Sequence, residues 1–130
     1  MKTALAALLF AVAPVLLAPA LAAADPAADA VKPGRVDGAT AKSLAAAGAK
    51  VVDVRTAEEF ASGHVPGAIN IPYDQIARRA SEIGPPSTQV VLYCRTGRRS
   101  GIAVEALQKA GYEKLYDLRS VTAWPGELAK

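Results

Sequence analysis

Four apolar residues in a row, Val90-Val91-Leu92-Tyr93, constrain this chain more than any other stretch. A strand that is apolar on both faces belongs inside a sheet covered on both sides, which is the habit of parallel sheets. A second run, Val51-Val52-Asp53-Val54, reads the same way, and helical patterns separate the strand candidates. Strands alternating with helices predict an α/β fold, a central and mostly parallel sheet with helices on both faces. In such sheets ligands bind beyond the carboxyl ends of the strands. Cys94, the one cysteine of the chain, stands at that end of the Val90–Tyr93 run.

The residues that follow are Arg95-Thr96-Gly97-Arg98-Arg99-Ser100-Gly101, with three arginines, two hydroxyls and two glycines. A glycine-containing turn that opens a helix aims backbone N–H groups at one point, and the helix adds its positive end. Those dipoles and guanidinium groups stabilise a thiolate, so Cys94 is expected to ionise easily. The candidate site is therefore Cys94 as nucleophile, with Arg95, Thr96, Gly97, Arg98, Arg99 and Ser100 as a cradle for anions. This reading needs a thiol that solvent can reach. The competing reading is a buried structural cysteine. No metal is expected, because one histidine, one cysteine and scattered carboxylates do not reach a ligand set. Gly97 also lacks the Gly-Lys-Ser/Thr of a phosphate-binding P-loop.

A length of 130 residues suits one domain. Met1-Lys2, the apolar run Ala4–Leu17 and the small residues that follow read as a secretory signal peptide over residues 1–24, cleaved after Ala22 or Ala24. The run is broken by Pro14 and Pro19, and it is shorter than the roughly 20 residues that span a bilayer. The expected location is periplasmic or exported. Losing residues 1–24 removes one lysine and takes the net charge from +3 to +2. With three arginines focused in one loop, no broad nucleic-acid face is expected.

Residues 25–37 read as a leader with a short strand near Arg35-Val36-Asp37, and residues 38–130 as the single domain. The expected helices run from a Thr40 N-cap to Ala47, from a Thr56/Glu59 capping box to about Gly63, over Tyr73–Ile83 and over Arg98–Ala110. In the last of these Ile102, Ala103, Ala106, Leu107 and Ala110 are expected to face inward. Expected strands cover Lys50–Arg55, Ala68–Ile71, Gln89–Tyr93 and Lys114–Leu118, with a terminal helix beginning at Val121–Trp124.

Three stretches together resemble the rhodanese family. Val52–Phe60 with Gly63-His64-Val65-Pro66-Gly67-Ala68-Ile69-Asn70-Ile71-Pro72 is similar to its upstream signature, Cys94–Ser100 to its active-site loop, and Ala110-Gly111-Tyr112 with Trp124 to its C-terminal segment. The resemblance spans about Gly38–Trp124 and implies a rhodanese-like fold. It implies a sulfurtransferase that moves a sulfane sulfur from thiosulfate or a similar small anion to cyanide or a thiol. The implied intermediate is a persulfide on Cys94, with no other cofactor and no metal or nucleic-acid partner, in a monomer. A sulfur carrier or partner-binding module without turnover is the alternative. A phosphatase is disfavoured, because the loop is one residue short of a Cys, five residues, Arg pattern. In one departure, Leu118-Arg119-Ser120 stands where members of this group carry a Gly-Gly pair, so Arg119 is expected to narrow the entrance. His64, Tyr116 and Trp124 are expected to be structural, Arg78-Arg79 a solvated face, and Asp53 with Arg55 a structural ion pair.

Overall fold

A computed structural model describes residues 30–130. The expected signal peptide, and the leader up to residue 29, lie outside the described residues. Five strands form one sheet: β1 (Gly34–Arg35), β2 (Lys50–Asp53), β3 (Ile69–Asn70), β4 (Val90–Cys94) and β5 (Leu115–Ser120). Their spatial order is β1-β5-β4-β2-β3, and every neighbouring pair is parallel. The stretch read as a leader thus joins the sheet, through β1 on the edge of β5. β4 lies at the centre and all five of its residues are buried.

Side chains alternate across this sheet and build two cores. Val52, Val54, Val90, Leu92 and Cys94 face Ile76, Ala103 and Leu107 on one side. Val51, Val91, Tyr93, Tyr116 and Leu118 meet Ala41 and Leu44 on the other. The first side carries α3 (Ile76–Arg79) and α4 (Arg98–Lys109); the second carries α1 (Gly38–Ala46). A further short helix, α2 (Ala57–Ser62), follows β2.

Several boundaries move for identifiable reasons. Asp37, not Thr40, caps α1, because its carboxylate accepts the Thr40 N–H at 2.8 Å. Gly38 then opens the helix where any Cβ would meet the Ala123 carbonyl oxygen at 1.9 Å. The expected helix over Tyr73–Ile83 shrinks to one turn, α3, followed by a 3-10 turn at Ala80–Glu82. The expected terminal helix is likewise a 3-10 turn, Val121–Ala123. In α4, Ala103 and Leu107 are buried as expected, but Ile102 is 38% exposed and Ala110 lies outside the helix. Residues three and four apart share a helix face, so the buried Ser100-Ala103-Leu107 stripe turns Ile102 outward.

That stripe predicts a contrast between two substitutions. Leu107→Ala should cost about 2–5 kcal/mol, whereas Ile102→Ala should stay within about 0.5 kcal/mol. Urea unfolding of the two variants measures both.

Candidate active site

β4 delivers Cys94 to the carboxyl edge of the sheet, and the chain then turns through Arg95 and Thr96 to Gly97, which precedes α4. Gly97 adopts φ 102°, a left-handed conformation suited to glycine. That turn brings the Gly97 N–H back to Cys94 Sγ at 3.0 Å. The Ser100 hydroxyl donates to the Gly97 carbonyl at 3.1 Å and holds the loop against the helix.

The thiol feels opposed influences. Burial pushes its pKa up, since an ion is disfavoured away from water. The backbone N–H groups of Ser100, Gly97 and Thr96 and the Ser100 hydroxyl outweigh burial, and the thiol titrates below its ordinary value. The guanidinium groups are not among its leading stabilisers, contrary to expectation. From the facing strand, the Arg119 carbonyl accepts the Cys94 S–H at 3.3 Å, a contact that favours the protonated form.

The arginines divide. Arg95 and Arg98 are exposed and make no salt bridge among the described residues. Arg99 is committed elsewhere: Nη1 and Nη2 grip the Glu59 carboxylate at 2.6 and 3.0 Å. Glu59 closes the capping box of α2, accepting the Thr56 N–H at 3.3 Å. One carboxylate thereby caps α2 and tethers the first turn of α4. Arg99 holds the Glu59 carboxyl down at about 2. The sequence expectation grouped Arg99 with the anion ligands; the structure gives it this partner instead.

Cys94 itself is fully buried, with 0% of its surface exposed. The expectation of a thiol open to solvent is corrected, and Arg119 of β5 stands beside the closed loop. β5 bulges opposite Leu92 and Tyr93, so that Tyr93 pairs with Arg119 and Cys94 with Ser120. Arg119 adopts φ 73°, the one left-handed non-glycine residue among those described, at a cost on the order of 1 kcal/mol. The Asp117 carboxylate fixes this by accepting the Arg119 N–H at 2.9 Å. The guanidinium packs on Gly97, where an added Cβ would stand 2.5 Å from Arg119 Nε. Ser120 Oγ donates to the Arg95 carbonyl at 2.8 Å and clamps the start of the loop.

The remaining polar residues near the sheet edge are structural. Buried Asp53 and Arg55 form the expected ion pair at 2.6 Å. Arg55 Nη2 also donates to the Gly63 carbonyl. His64 stacks on Phe60 with ring centroids 3.7 Å apart, and its backbone bridges Ala129. No group of metal-ligating side chains occurs among the described residues. No described helix is long and apolar enough to cross a membrane.

Comparison with known proteins agrees with this architecture. The family described as Rhodanese-like domain matches residues 38–125. A sulfurtransferase of Allochromatium vinosum is 43% identical over 75 residues, 57% of this chain and 69% of that protein. The thiosulfate sulfurtransferase PspE of Escherichia coli is 42% identical over 62 residues, 47% of this chain and 60% of that protein. For other curated relatives the aligned part is 64% and 42% of their own length, below two thirds. Among solved structures, a rhodanese with anions from E. coli superposes with a TM-score of 0.58 at 33% identity, covering 62% of this chain and 96% of that one.

The Glu59–Arg99 pair sets an acid limit. Its carboxyl titrates lower folded than unfolded, so the pair stabilises fully above the ordinary pKa of 4.5 and fades as pH falls toward about 2. Urea midpoints of the wild type and Glu59→Gln should differ most near neutrality and converge only as pH falls to about 2. A difference that persisted at low pH would refute the assignment.

Proposed function

The chain belongs to the rhodanese-like domain family, and on that footing we propose that it is a sulfurtransferase whose Cys94 carries sulfur as a persulfide. The thiolate attacks the outer sulfur of thiosulfate or a similar anion. A new S–S bond forms on Cys94, the S–S bond of the donor breaks, and its electron pair leaves with sulfite. A cyanide ion or thiolate then attacks the terminal sulfur and takes it away, returning the electron pair to Cys94 as thiolate.

The observation that carries this reading is the Gly97 N–H directed at Sγ at 3.0 Å, reinforced by the amides that lower the thiol's titration. Donors of this kind need no reorganisation to hold an anionic sulfur. A thiol already inclined to ionise needs no general base, which fits a histidine occupied in a structural turn. The exposed Arg95 and Arg98 supply positive charge for a dianionic donor. The names of the A. vinosum and E. coli relatives support the same chemistry. We place the reaction in an exported compartment on the character of residues 1–24.

One observation favours a second reading, a sulfur carrier that exchanges with protein partners. Cys94 is closed off at rest, and a docking protein partner could open the loop as well as a small donor.

Mass spectrometry of the protein incubated with thiosulfate distinguishes them. A gain of about 32 Da, one persulfide sulfur, should appear on Cys94, disappear with cyanide as thiocyanate forms, and be absent from Cys94→Ser. An adduct without steady turnover would favour the carrier. No adduct from any sulfane donor, or greater activity on p-nitrophenyl phosphate, would refute sulfur transfer. Arg98→Ala should raise KM for thiosulfate roughly tenfold, the loss of one charge-assisted contact.

A further inference from the structure

We propose that Arg119 is a gate on Cys94 that opens preferentially to anions, and so selects which reagents reach the sulfur. Three independent features meet at this residue. Cys94 has no exposed surface although it ends a strand at the edge where ligands bind. The Arg119 guanidinium lies on Gly97, the residue whose amide holds Sγ. The backbone beneath that guanidinium is a bulge in the left-handed region, held there by Asp117. Bulges recur beside active sites because they re-aim a side chain.

The bonding of the guanidinium explains the preference. Its nitrogens make no hydrogen bond or salt bridge among the described residues. Arg55, Arg79 and Arg99, in contrast, each hold a carboxylate. Arg119 is thus a charge kept in place by packing, with the Asp117 carboxylate attracting it only through space. An incoming anion can exchange that packing contact for a charge-assisted one and draw the side chain off Gly97. A neutral molecule offers no such exchange and must wait for the side chain to move by itself. The carbonyl of the same residue accepts the Cys94 S–H. That carbonyl belongs to the strand backbone and stays in place when the side chain moves.

For a sulfur donor this means selection for small anions, and that consequence rests on the sulfur-transfer reading. Gating itself is tested without any sulfur donor, by alkylation. Iodoacetamide is neutral and iodoacetate anionic; each forms an S–C bond to Cys94 and expels iodide. Rates are compared at a pH above the thiol's midpoint, where Cys94 is fully thiolate in every variant. Arg119→Gly suits a left-handed residue and should fold. It should raise the iodoacetamide rate at least threefold and lower the ratio of iodoacetate to iodoacetamide rates at least threefold. Arg119→Lys should keep most of the ratio, because the charge remains. Arg98→Ala should slow iodoacetate without speeding iodoacetamide, because Arg98 is exposed and the side chain packed on Gly97 is that of Arg119. An iodoacetamide rate within twofold of wild type in Arg119→Gly would overturn the gate. An unchanged ratio would overturn its charge preference. Either failure could coexist with persulfide formation, so it would leave sulfur transfer standing.

Discussion

Everything at this site depends on the pairing of β4 between two parallel neighbours. Val90 to Tyr93 bond to β2 on one side, and Val90 to Cys94 to β5 on the other. Both faces of β4 are buried, so a slip of one residue would exchange the two cores. The pairing therefore sets where Cys94 emerges and which groups stand beside it. It also puts buried Asp53 opposite Tyr93, where an unpaired carboxylate would be costly. Arg55 answers this with its backbone N–H and its guanidinium, then reaches the Gly63 carbonyl. A buried pair of this kind contributes little net stability once its desolvation is counted. Here it locates the Gly63 turn against the sheet.

The loop itself is held from two directions. Glu59 pulls the first turn of α4 toward α2 through Arg99, and Ser120 fixes the Arg95 carbonyl from β5. Between these anchors the chain from Cys94 to Gly97 must close in a tight arc, and glycine's freedom at φ 102° lets it do so. Helix N-terminal amides then converge on one sulfur. Their dipoles act at short range in a dry place, where they weigh more than solvent-screened guanidinium groups farther away. This is why amides dominate the depression of the thiol pKa although three arginines occupy the loop.

The sheet, its parallel sense and the position of Cys94 were legible in the chain because they follow from local pattern: two apolar runs, the Thr56/Glu59 capping box and the Gly97 turn. The capping box was legible, but the second use of Glu59 was not, since Arg99 lies 40 residues away and its guanidinium gave no sign of a partner. Asp37 was missed as a cap because Thr40 is an equally good capping residue; the choice was made by Gly38, which packs where no side chain fits. The helix expected over Tyr73–Ile83 failed for a tertiary reason. Only Ile76 of α3 is buried, so one turn suffices to fill that space. Burial of Cys94 was legible only in part: Leu118-Arg119-Ser120 in place of a Gly-Gly pair signalled a narrowed entrance, but not that the thiol would be fully buried.

The bulge in β5 links these observations. Regular continuation of the Leu92–Asp117 register would set Cys94 opposite Arg119. The extra residue sets Ser120 there instead. The displaced Arg119 keeps its carbonyl on the thiol and its side chain on Gly97, at the expense of a left-handed backbone. Strain of this kind persists only where surrounding contacts over-determine it. Asp117 and Ser120 are those contacts, one on either side of the strained residue. Confining the strain to one residue has a mechanical consequence. The amides belong to the Thr96–Gly97 turn and to Ser100 of α4, the gating side chain belongs to β5, and the two can separate by side-chain motion at Arg119 without disturbing the cradle that holds the sulfur.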